Sequence, residues 1–106
     1  VFGSDAPVES ENPWLGIHAA VTRMDGEGRP PGGWRPQERV TLAEAIAAFS
    51  VTPDEVVKAT QVGAIQPGFW ADFTIVAADP FTVPAEALKG MRTLRTIVAG
   101  REVFAE

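Results

Sequence analysis

Val1-Phe2-Gly3-Ser4-Asp5 opens the chain. Two apolar residues followed by Gly-Ser-Asp read as the carboxyl end of a buried strand running into a loop. A domain rarely begins at the end of a strand, so this start predicts a piece of a longer protein. It also sets Asp5 just past a strand end, where barrel enzymes place catalytic carboxylates. A carboxylate there can bind a metal or take a proton from water. The alternative for the same residue is an Asp that caps a loop turn.

Outward from that stretch, 106 residues make about one domain. There is no cysteine, which excludes disulfides and thiolate metal sites. Hydrophobic residues at 45% and charged residues at 22% are globular proportions, not those of a disordered chain. The formal charge is −5 and the basic residues are scattered, which argues against nucleic acid as a partner. No apolar run nears the ~18 residues of a membrane span, so no membrane partner is expected. A chain without cysteine suits a reducing compartment, and the expected location is cytoplasmic.

Asn12-Pro13 predicts a helix start, Asn as cap and Pro in the first position. Trp14, Ile17, His18 and Val21 then share one face of a helix to Arg23, which Gly16 weakens. Residues 24–39 hold four glycines and three prolines, which rules out a regular element. A loop longer than ~12–15 residues is usually functional or disordered. Trp34 within it calls for something to pack on. The loop is read as a packing surface between domains or subunits, as a substrate-lining loop, or as a linker. Thr41 with Glu44 forms a capping box ahead of the stripe Leu42, Ile46 and Phe49. Thr52 to Glu55 repeats the pattern, with Thr52 as cap and Val56, Val57 and Ala59 facing inward. The two short helices meet at Ser50-Val51.

Beyond Thr60 the period shortens. Val62 to Ile65 predicts a short strand. Gln66-Pro67-Gly68 predicts a type II turn. Phe69 to Ala78 predicts a strand buried on both faces, ended by Asp79-Pro80. Pro84 to Lys89 reads as a helical turn. Leu94 to Val98 and Arg101 to Phe104, joined by Ala99-Gly100, read as a hairpin. The fold class is therefore α+β, with a helical part over 1–60 and a β-rich part over 61–106.

His18 is the single histidine. Its place in an apolar stripe reads as a partly buried helix residue, and one imidazole falls short of the ligands zinc requires. Ser4 beside Asp5 is a neighbour pair, not a catalytic triad. Gly32-Gly33 lacks the Lys-Ser or Lys-Thr of a phosphate loop.

Five pieces occur in order. They are Phe2-Gly3-Ser4-Asp5-Ala6-Pro7-Val8, Asn12-Pro13-Trp14-Leu15-Gly16-Ile17, Gly28-Arg29-Pro30-Pro31-Gly32-Gly33-Trp34, Gly63 to Phe73, and Asp79-Pro80-Phe81. Together they resemble the carboxyl-terminal portion of a metal-dependent amidohydrolase of the family 3 group. That resemblance implies a (β/α)₈ barrel with a small β-sandwich beside it. Residues 1–60 would be its last strand, outer helices and the long loop, and 61–106 the carboxyl-terminal sandwich strands. Asp5 matches the family's last-strand aspartate, which ligates a divalent metal and handles the proton of the attacking water. The implied cofactor is a divalent ion, zinc, in the complete protein, with none bound to this chain alone. The implied partners are the amino-terminal rest of the barrel and a small-molecule substrate, and a homo-oligomer is compatible with both. The family's paired histidines, its bridging ligand and its two later histidines have no counterpart here. A barrel also needs roughly 200 residues or more.

Two functions follow as expectations. One is a fragment of a metal-dependent hydrolase acting on non-peptide carbon–nitrogen bonds, amide or cyclic amide, inactive alone, with Asp5 as catalytic group and metal ligand and Trp34 against the substrate. The other is a non-catalytic α+β module with Trp34 and Phe69-Trp70 as its protein-binding surface.

Overall fold

A computed structural model describes residues 1–58 and 61–106. In order it contains α1 (Pro13–Thr22), a 3-10 turn (Pro36–Glu38), α2 (Leu42–Phe49), α3 (Val51–Val57), β1 (Phe73–Val76), a second 3-10 turn (Ala85–Gly90), β2 (Thr93–Val98) and β3 (Arg101–Ala105). The chain as it stands is α+β, as expected. The described residues form no barrel by themselves.

α1 begins where its cap predicts, with the Trp14 N–H donating to Asn12 Oδ1 at 3.0 Å. It ends at Arg23, whose φ of 61° breaks the helical path. Its buried face is Trp14, Ile17, His18 and Thr22, with Val21 half-buried beside it. Thr22 can be buried because its hydroxyl donates to the His18 carbonyl at 2.7 Å. Gly16 has a packing reason: a Cβ there would meet the Phe49 ring at 2.8 Å, so glycine lets α2 approach. In α2 the capping box forms, Thr41 N–H to Glu44 Oε2 at 2.8 Å and Glu44 N–H to Thr41 Oγ1 at 3.2 Å. The Thr41 backbone bond, then its hydroxyl, holds the Glu44 carboxyl below its usual range.

The core is Trp14, Ile17, Ala45, Leu88 and Met91, with Leu42, Ile46 and Phe49 against it. It joins α1 and α2 to the 3-10 turn at Ala85–Gly90. The sheet is antiparallel in the order β1-β2-β3. The hairpin turn has positive φ at Ala99 and Gly100, 50° and 75°, which is the primed geometry that matches strand twist. Ala pays for a left-handed φ, and Asp72 offsets this by accepting the Ala99 N–H at 2.7 Å. The Phe69 N–H donates to Gln66 O at 3.1 Å, with Gly68 at φ +90°, so the type II turn is present.

Several expectations are corrected. Among the described residues Val1–Ser4 pairs with no strand; the Phe2 N–H donates to Ala48 O at 2.9 Å and its ring meets Phe49 edge-on. A parallel strand needs partners on its flanks, and the described residues supply none to this segment. Val62–Ile65 is irregular, with Ile65 85% exposed. The long strand contracts to Phe73–Val76, and Thr74 and Ile75 are exposed because β1 is an edge with no second layer over it among the described residues. α3 starts at Val51, so Thr52 lies inside the helix and does not cap it; Ser50 instead donates its hydroxyl to Ile46 O at 2.8 Å. Val56 and Val57 are exposed, not inward. Ala59 lies outside the described residues.

Candidate functional site

Asp5 stands in a turn closed by the Val8 N–H donating to Asp5 O at 2.9 Å, with its own φ at 51°. Asp is one of the few side chains that tolerates that backbone. Its carboxylate is exposed and makes no ion pair among the described residues. A cavity of about 360 Å³ opens beside it, walled by Gly3, Ser4, Asn12, Leu15, His18 and Phe49 among others. Neither Asp5 nor Trp34 is one of its walls. Among the described residues no three acidic or imidazole groups come together to hold a metal ion.

His18 is 2% exposed, and its Nε2 finds no hydrogen-bond partner. The expectation of a partly buried helix residue holds, with deeper burial than foreseen. Desolvation, and then the Lys89 ammonium, lower its pKa; Glu86 and Asp25 oppose this without cancelling it. The imidazole is therefore a neutral packing group between α1 and the Ala85–Gly90 turn. A folded pKa below the unfolded 6.5 means that the unfolded chain binds more protons as pH falls. The stability His18 leaves intact above that value is lost as pH falls toward the folded pKa, then levels off. His18→Leu should flatten this part of the slope. Urea denaturation of both proteins at about pH 7.5 and 5.5 checks it; an unchanged slope would remove His18 as the titrating group.

Trp34 sits on an ordered loop. The Asp25 carboxylate accepts the Glu27 and Arg29 N–H groups at 2.8 and 2.9 Å. Those bonds, that from Arg29 foremost, lower its pKa. Arg39 donates to Thr22 O at 3.2 Å and Gly32 O at 2.6 Å. The Trp34 N–H donates to Arg23 O at 2.8 Å, and Arg23 Nε to Trp34 O at 3.2 Å. The loop is thus no floppy linker; it is fastened to the carboxyl end of α1. The indole is 57% exposed, with the Arg23 and Arg35 guanidinium carbons 5.2 and 4.8 Å from its centroid. Arg35 beside Trp34 is readable in the sequence, whereas Arg23 is brought over by closure of the loop. No hydrogen bond or ion pair among the described residues joins Asp5 to Trp34. No described helix is long and apolar enough to cross a membrane.

The amidohydrolase family model matches residues 1–104. YtcJ of Bacillus subtilis (strain 168), which carries an amidohydrolase name, is 31% identical over 103 residues. The alignment covers 96% of this chain and 20% of YtcJ, so the chain spans about a fifth of that relative's length. No solved structure matches the chain.

Proposed function

The chain belongs to the amidohydrolase family, and from that premise we propose that it is part of a metal-dependent hydrolase of non-peptide carbon–nitrogen bonds. The substrate class in this reading is a small amide or cyclic amide, and the location is cytoplasmic. The observation that carries it is Asp5, inside Phe2-Gly3-Ser4-Asp5-Ala6-Pro7 and within the matched residues. Asp5 accepts a proton from the attacking water and passes it to the leaving nitrogen as the bond breaks. Residues 1–60 belong in this reading to the end of a (β/α)₈ barrel and 61–106 to its sandwich. The helices α1 to α3 fit the outer layer, and Val1–Ser4 becomes a strand when flanking strands pair with it.

The residues present do not make a metal site. Asp5 is one carboxylate and His18 one imidazole, among the described residues no three such groups come together, and even an open zinc site uses three protein ligands. The remaining ligands of a divalent ion such as zinc belong to the rest of the protein. The 106-residue chain alone is then inactive and should bind Zn²⁺ only weakly. Calorimetric titration checks this, and one tight submicromolar site would mean that the ligand set is complete here. Reading the gene upstream of Val1 tests the larger proposal. A strand carrying His-x-His supports it, and a translation start at Val1 removes it.

Trp34 serves as a substrate contact in this reading only if another part of the full protein brings the pocket to the far end of α1. That helix has ten residues, about 15 Å of rise, and barrel enzymes keep their chemistry at the strand ends. A changed KM in Trp34→Ala, with metal content unchanged, is what the substrate role requires. The second reading, a non-catalytic interaction module, draws on the exposure of Trp34 and Trp70. A full-length protein with hydrolase activity would exclude it.

A further inference from the structure

Arg23, Trp34 and Arg35 form a surface unlike the rest of this acidic chain. Two guanidiniums crowd one exposed indole, and neither has a carboxylate partner among the described residues. Both arginines hold left-handed backbone, φ 61° and 49°, a costly conformation that persists where the surroundings impose it. Here the imposing contacts are the paired bonds between Arg23 and Trp34 and the Arg39 clamp on Thr22 O and Gly32 O. The backbone that carries the indole is therefore held before any partner arrives, which lowers the ordering cost of binding. Trp and Arg are the residues that most often carry interface energy.

We propose that the Arg23–Trp34–Arg35 platform receives the Glu9-Ser10-Glu11 stretch of a second copy of the protein. The chemistry is complementary: two exposed carboxylates against two guanidiniums, with the exposed Val8 beside them against the indole. The Cα atoms of residues two apart stand at most about 7 Å apart along the chain, so the two flexible Glu side chains can reach two guanidiniums that both lie within 5.2 Å of one ring. Each copy carries both halves, so a two-fold arrangement uses the contact twice.

The test is sedimentation of the full-length protein that contains this chain, in low and high salt. Arg35 is the cleanest site, because its side chain makes no hydrogen bond among the described residues. The expected result is a dimer whose dissociation constant rises about tenfold or more in Arg35→Glu and in Trp34→Ala, and which weakens with salt. Arg101→Glu, an exposed charge elsewhere, should leave it unchanged. Arg35→Glu leaves Arg23 in place, so one of the two single reversals, Glu9→Arg or Glu11→Arg, should restore association to it. A monomeric wild type, a dimer indifferent to these variants, a failed restoration, or a KM change without a change in association would each overturn the proposal. A far-ultraviolet melt of each variant confirms that it is folded, and Arg35→Gln serves where the reversal does not fold.

Discussion

Asp5→Asn in the full-length protein is expected to abolish hydrolysis and leave the fold intact. Asn keeps the shape of the side chain and can still satisfy the loop backbone. It loses the negative charge, so it neither accepts the proton of the attacking water nor holds a cation as well. Proton transfer by a positioned side chain is worth roughly 10²–10⁴ in rate, and loss of a metal ligand would add to that. The fold should not respond, because the carboxylate is exposed and its turn is closed by a backbone bond, Val8 N–H to Asp5 O. Steady-state kinetics, metal analysis and a thermal melt on the same preparation separate these effects. Turnover within about tenfold of wild type would remove Asp5 from the chemistry. A collapse of the melt would mean that the carboxylate holds structure.

The contrast between these two sides of Asp5 runs through the chain. Wherever geometry is set by a residue and its near neighbours, the sequence was readable. Asn12 caps α1, Thr41 and Glu44 close their box, Pro67-Gly68 turns, and Ala99-Gly100 makes the hairpin. Wherever an element depends on surfaces far away in sequence, the reading overreached. Phe2 and Ile75 are apolar enough for a buried strand, but a strand is defined by its neighbours, and the described residues supply too few. Val56 and Val57 are apolar enough for an inward face, but the described residues put nothing over them. The Thr52-Pro53 signal failed for a local reason: Ser50 already ends α2 and α3 begins at once, so the helix starts two residues before the expected first position, Pro53.

The candidate site was legible to a similar degree. Asp5 stood out by position, but only the family resemblance gave it a role, because one carboxylate in a turn has many uses. The burial of His18 followed from its stripe. The orphaned Nε2 did not, since it depends on how the 3-10 turn seats over α1. In the sequence that turn is a short local feature, and nothing in Pro84 to Lys89 marks it as the piece that completes the core.

Leu88→Ala tests that piece and should be among the most destabilising single changes in the chain. Leu88 is 1% exposed and lies in the Ala85–Gly90 turn, in one cluster with Trp14, Ile17, Ala45 and Met91. Removing three buried carbons loses their transfer energy and leaves a cavity, together about 2–5 kcal/mol. A domain of this size has only about 5–15 kcal/mol in total, so the change takes a large share. It should also do more than lower the midpoint. Leu88 and Met91 are the buried residues through which 61–106 reaches the helices of 1–60, so the variant should loosen the seat of the turn on α1 and admit water to His18. Hydrogen exchange in α1 and around Leu88 should then rise together. Val57→Ala, at an exposed position, should stay within about 0.5 kcal/mol of wild type. Urea denaturation of both variants decides it. A loss below about 1 kcal/mol for Leu88→Ala would mean that the turn does not seal the core, and that the two halves are held together by contacts other than Leu88.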